Sequence, residues 1–540
     1  MMTDLEWWTW VLVGVALGSM LILGVSQWLG KRKTISSSKG VVYPPEYGEG
    51  VWPMVTNLVA FSANPLAMVR RGQEKLGDVF TIRLGPRRMT FMLGPGPTEV
   101  MFRSTDAQMD SSEPYSFSVP VFGRNVVYDS PLEERYQHFR IFSGGLRADK
   151  LKSYVPKMVE EATMYFDKTW NDPSGTGEVD LLDSLSELIV LTASRCLLGR
   201  EVRENLFVSV NNLLHDLDMG MQPISILAPY LPIPAHRLRD RARKEISAIF
   251  RGVLENRRAK GVKEEDLLQV FIDARMRDGK PLTDDQIVGL LIAAIFGGQH
   301  TSAITSTWTG LHLIRDQQVL SKVILEQRNI QEEFGEELNF EALLKMDLIH
   351  VCMKETLRMY PPLVFLLRKV LEPREVGKYT IPVNDYAVVS PQISGRMSTV
   401  FPDPEKWDPS RFLSPRSEDK LMPFAFFGFG GGRHSCLGEQ FAYLQVKTIW
   451  SHLLRNFVIE PVGELSTPNF VRTLTNTLCL ASKDSISPLA VLYSSRLRTE
   501  WSYFRTILVE FGIPVRNYDG VYHKHLRGST TYNSWQTETR

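Results

Sequence analysis

FGFGGGRHSCLG, Phe427 to Gly438, sets one cysteine in a glycine-rich loop directly ahead of the helical pattern EQFAYLQVKTIW. A lone cysteine is most often a small buried hydrophobe. Here the glycines strip away side chains, so backbone N–H groups can point at a sulfur, and the following helix N-terminus adds positive potential. Both favour a thiolate at Cys436. Arg433 and His434 beside it can hold anionic groups. A phosphate-binding loop would need a Lys-Ser/Thr ending, which this stretch lacks.

Upstream, KETLR places Glu355 and Arg358 at i, i+3, where a carboxylate and a guanidinium can pair on a helix, and WDPSRF supplies Arg411. Ile287 to Ile314 runs for 28 residues without Asp, Glu, Lys or Arg. A membrane span is one reading of that length. Thr283 with Gln286 makes a capping box at its start, however, and Gln299, His300 and several Thr and Ser are polar at mid-length, which hydrocarbon penalises. A long helix buried through a soluble domain is therefore expected. Gly297-Gly298 within it gives up about 1 kcal/mol per residue of helix propensity relative to Ala. Either something approaches the backbone there, or another helix packs on the glycines.

The spacing from Phe429 through Gly432 and His434 to Cys436 and Gly438 resembles the haem-binding signature of the cytochrome P450 monooxygenases. Glu355 and Arg358 match that family's E-x-x-R, and Arg411 its second arginine, which implies a structural cluster behind the cysteine loop. The uncharged helix with Thr301 resembles the family's oxygen-binding helix. FGGQHTS (Phe296–Ser302) and YSFSVPVFGRNVVYD (Tyr115–Asp129) are similar to the two hallmark segments of the sterol 14-alpha-demethylases, with His300 where most other relatives carry an acid. Gly297 stands where these enzymes commonly have Ala. The resemblance runs from about Val42 to Phe470.

That resemblance implies haem b with Cys436 as the axial thiolate, O2 as co-substrate, and electrons from NADPH through a separate cytochrome P450 reductase. No second dinucleotide or flavin fingerprint is present; the prolines of GPGP (Gly94–Pro97) mark a turn. It implies three successive oxygenations of a sterol 14-alpha methyl to alcohol, aldehyde and formate. His300 and Thr301 would deliver protons, with Asp218 as the partner of the histidine. Tyr115, Tyr128, Arg140, Arg368 and His434 would hold the propionates, and Tyr115, Phe117, Phe122, Gly297 and Leu366 would line the sterol pocket. At Phe117 the chain resembles relatives that prefer sterols with one C4 methyl, while those preferring two tend to carry Leu, which implies a preference for an obtusifoliol-type sterol over lanosterol. A monooxygenase of another lipid and a haem or sterol carrier without turnover are the alternatives. His300 and Thr301 argue against the carrier, since storage needs no proton delivery.

The remaining sequence is consistent with a mainly α fold with a minor β part. VFTIRL (Val79–Leu84) and RMTFMLG (Arg88–Gly94), joined at Gly85-Pro86, predict paired strands, and Leu363–Pro391 is strand-like again. Helical periodicity covers Asp149–Trp170, Leu238–Lys260, Thr283–Ile314 and Val319–Phe334. With 62 Lys+Arg against 61 Asp+Glu, a net charge of +1, the 540-residue chain has no basic field for nucleic acid, and its 43% hydrophobic content excludes disorder. Four dispersed cysteines indicate neither a disulfide framework nor a zinc ribbon.

Trp7 to Leu29 carries no charge, with Asp4 and Glu6 before it and Lys31, Arg32 and Lys33 after it. That asymmetry predicts a single-pass anchor with the rest of the chain on the cytoplasmic face of the endoplasmic reticulum membrane. The expected organisation is an anchor at 1–34, a linker at 35–60, a haem-thiolate domain at 61–483 and a poorly ordered extension at 484–540. SILAPYLPIP (Ser225–Pro234) is expected to dip into the bilayer as the sterol entrance.

Overall fold

The computed structural model describes residues 40–48, 53–170, 176–221, 223–461 and 477–482. The expected anchor and the extension beyond 482 lie outside the described residues. The expected linker does not hold throughout: the chain enters the sheet as strand β1 (Glu46–Tyr47) and helix α1 (Pro53–Ala63) starts soon after. Pro44-Pro45 bars helix there but leaves carbonyls free, and Pro45 O accepts from Thr81 N at 2.9 Å.

β2 (Val79–Leu84) and β3 (Arg87–Met92) pair antiparallel from Val79↔Met92 to Leu84↔Arg87, the hairpin expected from their alternation. β4 (Met109–Asp110), β6 (Leu366–Val370) and β9 (Tyr386–Val389) complete a six-stranded sheet of order β1-β2-β3-β9-β6-β4. Period-two alternation divides its side chains between two clusters. Phe80, Ile82, Phe91, Tyr386 and Val388 bury on one face, and Val79, Met92, Ala387 and Val389 on the other. A second sheet, β10-β11-β5, joins β5 (Thr176–Asp180), β10 (Phe457–Pro461) and β11 (Thr477–Ser482), and β7 (Arg374–Val376) pairs with β8 (Tyr379–Ile381). Thus the chain continues into regular structure past Phe470, where the sequence pattern had faded. GPGP also departs from expectation. It opens helix α2 (Pro95–Arg103) with proline at the first position, where a missing N–H costs nothing, rather than merely turning the chain.

Helices form the rest: α3 (Val119–Phe122), α4 (Leu132–Gly144), α5 (Ala148–Thr169), α6 (Leu181–Ala193), α7 (Phe207–Met219), α8 (Pro223–Leu227), α9 (Pro234–Lys260), α10 (Asp284–Arg315), α11 (Gln317–Phe334), α12 (Asp347–Met359) and α13 (Glu439–Asn456). All four periodic segments are helices within a few residues of their expected bounds. α10 is the axle of the helical core. The Thr283–Gln286 capping box starts it as expected, and at 1.5 Å per residue its 32 residues span about 48 Å. It is apolar on nearly all sides because α6, α9, α12 and α13 surround it. At Gly310 the packing is tightest: an added Cβ would lie 2.0 Å from the Trp450 ring of α13, whose Nε1 donates to Ser306 O at 3.1 Å.

Candidate functional site

The cysteine loop takes its shape from glycine chemistry. Gly430 and Gly432 sit at φ +72° and +67°, and a Cβ on Gly432 would lie 2.1 Å from Phe102 O at the end of α2. The loop closes on itself through Gly430 N to Phe427 O and Cys436 N to Phe429 O, both 2.9 Å. Cys436 ends it and is exposed. The loop's N–H groups pull toward the thiolate as expected, and burial works against them. Burial pushes the thiol up, the Gly438 N–H opposes this, and Glu439 adds to the rise. Cys196 and Cys352 are fully buried with thiols pushed up, so the described cysteines with a packed environment are the inert ones.

Midway along α10 burial breaks. Gly297 and His300 are exposed, and Gly298, Gln299 and Thr301 half-buried, within a mostly buried helix. An added Cβ at Gly297 or Gly298 would meet nothing within 4 Å. Open space, not a neighbouring helix, lies beside these glycines. The Thr301 hydroxyl donates back to Gly297 O at 2.6 Å, and Thr305 and Thr309 repeat the pattern to Thr301 O and Thr305 O at 2.8 and 2.7 Å. His300 Nε2 stands 3.3 Å from Asp218 Oδ1 at the end of α7. The hydrogen bond to Asp218 raises the imidazole pKa, burial opposes it, and the carboxylate charge adds to the rise.

The walls connect the loop to the helix. Gly430 approaches Leu366 of β6, whose Cδ1 would lie 3.8 Å from a Cβ there. Leu367 N donates to the Tyr115 hydroxyl at 3.2 Å, and the Tyr115 ring lies 4.7 Å from Tyr128 and 6.2 Å from Phe117. Farther along the same segment, Phe122 meets Phe296 edge-on at 6.2 Å, next to Gly297. Burial raises the pKa of both Tyr115 and Tyr128, so both keep their protons as donors.

Arg368 is buried, donates to Met101 O at 2.8 Å, and its charge acts on Tyr115 and Tyr128. His434 Nε2 is 2.6 Å from Asp106 Oδ1, and Tyr136 of α4 donates to the other oxygen. Burial would raise the Asp106 pKa, but the bonds to His434 and Tyr136 outweigh it and hold the carboxyl at about 2. These donors and cations, Tyr115, Tyr128, Arg368 and His434, with the nearby thiol suit a planar metal ligand that carries anionic arms. Arg140 does not join them. It is exposed, donates to Arg275 O at 3.2 Å and lines a separate surface groove with Arg147 and Asp149, because α4 turns its Phe139 ring, not Arg140, toward His434. Asp106 and Tyr136 were not legible in the sequence, since 328 residues separate Asp106 from His434. Buried Arg135, which donates to Tyr128 O and Ser130 O at 3.4 and 3.2 Å, was missed as well.

Behind the loop, Glu355, Arg358 and Arg411 are fully buried together, as their spacing predicts. Arg358 donates to both Glu355 oxygens at 2.6 and 2.8 Å, and Arg411 Nε to Glu355 Oε1 at 3.0 Å. The remaining donors hold irregular backbone: Arg358 reaches Gly395 O, Pro404 O and Lys406 O, and Arg411 reaches Pro402 O and Lys406 O.

The cytochrome P450 family model matches residues 45–486. The chain is similar to the obtusifoliol 14-alpha demethylase of Sorghum bicolor, 47% identical over 417 residues that cover 76% of this chain and 84% of that protein. It is similar also to the sterol 14-demethylase of Arabidopsis thaliana, 46% identical over 435 residues covering 79% and 88%. Among solved structures, retinoic acid bound cyanobacterial CYP120A1 matches in fold, with a TM-score of 0.72, 22% identity, and coverage of 82% of this chain and 99% of that one.

Proposed function

The chain belongs to the cytochrome P450 family, and on that premise we propose that it is a sterol 14-alpha-demethylase, acting on obtusifoliol-type sterols in preference to lanosterol. The observation that carries the reading is the meeting of the two sterol-enzyme-like segments, with Phe122 of the first against Phe296 of the second at 6.2 Å and Gly297 facing open space beside them. A flat apolar molecule suits aromatic and aliphatic walls of this kind.

Haem iron, with Cys436 as its protein ligand and electrons from a reductase, supplies the oxygen activation that no side chain can. Tyr115, Tyr128, Arg368 and His434 would hold its propionates, since a buried carboxylate needs donors or cations. The protein's own part is to orient the sterol, exclude water and move protons. Asp218 keeps His300 protonated above its usual range, and Thr301 carries the hydroxyl next in line on the helix. For Thr301 to pass a proton outward its hydroxyl must release Gly297 O. Three such rounds would convert the 14-alpha methyl to alcohol, aldehyde and formate, leaving a 14,15 double bond.

The half-buried Phe117 ring beside Tyr115 would crowd a second C4 methyl, a preference of about 1 to 3 kcal/mol. Ile224, Ile226, Tyr230 and Leu231 are exposed around α8, which supports that loop as the part lying in the bilayer surface. Anchoring by residues 1–34 in the endoplasmic reticulum, with the catalytic domain on the cytoplasmic face, belongs to the same proposal. NADPH-dependent formate release from a 14-methyl sterol, reconstituted with reductase, tests it. Haem-loaded chain with a competent reductase that releases no formate overturns it in favour of another lipid substrate.

A further inference from the structure

The carbonyl of Phe122 is held from two sides. α3 is a single turn, so its last carbonyls have no partner within the helix. Arg243 Nη2, from α9, donates to Phe122 O at 3.0 Å. On the opposite element, Gly289 of α10 presents bare backbone to the same atom: a Cβ there would lie 2.4 Å from Phe122 O and 2.8 Å from Val126 Cγ2. The next residue, Gly123, has φ +105°, and its Cβ would lie 2.7 Å from Arg243 Nη2. A side chain at either glycine would break the arrangement. The guanidinium is anchored in turn, since its other terminal nitrogen donates to Ser247 Oγ one turn along α9.

Resting on the sterol reading above, we propose that Arg243 is a positioning residue of the pocket: with Gly289 it locks the Phe122 carbonyl and thereby sets the Phe122 ring against Phe296. The lock joins three elements that have no covalent reason to keep register. α9 packs along α7, and α7 carries Asp218, the partner of His300. The α7–α9 pair therefore touches the pocket at two points, one setting a proton donor and one setting a wall. Arg243 itself does not reach the sterol. It acts through the backbone of the residue that does.

The test uses haem-loaded chain and two probes, obtusifoliol, whose binding shifts the iron spin state, and imidazole, which binds the iron and needs no ordered wall. Arg243→Ala removes a charge-assisted bond to a half-buried carbonyl and is expected to weaken obtusifoliol about tenfold while leaving the imidazole Kd within about twofold. Gly123→Ala should reproduce this by displacing the guanidinium, and Arg243→Lys should recover affinity to within about threefold, because one ammonium N–H can reach the carbonyl. An obtusifoliol Kd unchanged in Arg243→Ala, or both probes weakening together, overturns the proposal. If Arg243→Ala does not retain haem, Gly123→Ala decides by the same two criteria. Wild-type chain that binds imidazole but neither obtusifoliol nor lanosterol instead defeats the sterol reading, and the positioning role with it.

Discussion

Replacing Arg358 with Ala should cost the domain a large part of its stability before it touches the chemistry. The guanidinium makes five hydrogen bonds: two to the Glu355 carboxylate, at 2.6 and 2.8 Å, and three to the carbonyls of Gly395, Pro404 and Lys406, at 2.6, 2.8 and 3.2 Å. Glu355 has no access to water, so its charge depends on these partners, and in the variant Arg411 and the Asp408 N–H alone remain. Breaking a buried ion pair from one side costs about 3–5 kcal/mol. Set against a total of about 5–15 kcal/mol for a folded domain, that is enough to lower the urea midpoint strongly and to free the cysteine loop. Arg358→Lys is the sharper probe. A lysine has three N–H donors, so at least two of the five acceptors go unmet, and about 2–6 kcal/mol should be lost although the charge is kept. Urea unfolding of haem-loaded protein, with the red-shifted ferrous carbonyl band as a measure of intact thiolate ligation, reads both. A midpoint for Arg358→Ala within error of the wild type, with full haem content, would refute the reasoning.

His300→Ala and Asp218→Asn should slow formate release at least about tenfold and uncouple NADPH use from product, with sterol affinity near wild type, as measured by product yield per NADPH consumed. Because Asp218 raises the His300 pKa, the pair's contribution is complete below about pH 6.5 and fades as pH rises through the shifted value, so turnover of the wild type should hold to higher pH than that of Asp218→Asn. Gly297→Ala, whose methyl meets nothing in the protein, should stabilise the fold by about 0.5–1 kcal/mol in thermal melts yet weaken sterol binding by narrowing the pocket. Gly432→Ala, with φ +67° and Phe102 O at 2.1 Å from the new methyl, should fail to give the red-shifted carbonyl band. Asp106, depressed to about 2, stabilises the fold fully above its unfolded value of about 4 and loses that contribution as pH falls through 2, so acid unfolding of Asp106→Asn should show a shallower pH slope in that window.

Much of this architecture was readable from the chain because its signals are local. The capping box at Thr283, the strand alternation at Val79–Met92 and the spacing of Glu355 and Arg358 each involve neighbours along the sequence, and the structure realises all three. The cysteine loop was readable for the same reason, as glycines at fixed offsets leave few backbone paths. What escaped was non-local. Asp106, Arg135 and Tyr136 matter through partners elsewhere in the fold, and no periodicity marks them. Arg140 failed in the opposite way: a one-residue offset on α4 rotates a side chain by about 100°, which is enough to send Arg140 to the surface and Phe139 inward. At Cys436 the Gly438 N–H favours the thiolate as the loop's sequence implies and burial opposes it, so the charge of a bound iron is what would complete the ionisation.

The two buried arginines also change how the irregular stretch from Gly395 to Lys406 should behave in time. Its carbonyls are tied to guanidiniums that water cannot reach, so opening it requires exposing two charges at once. In deuterated solvent its hydrogen-bonded amides, such as those of Gly395, Val400 and Phe401, should exchange far more slowly than a coil without repeating structure suggests.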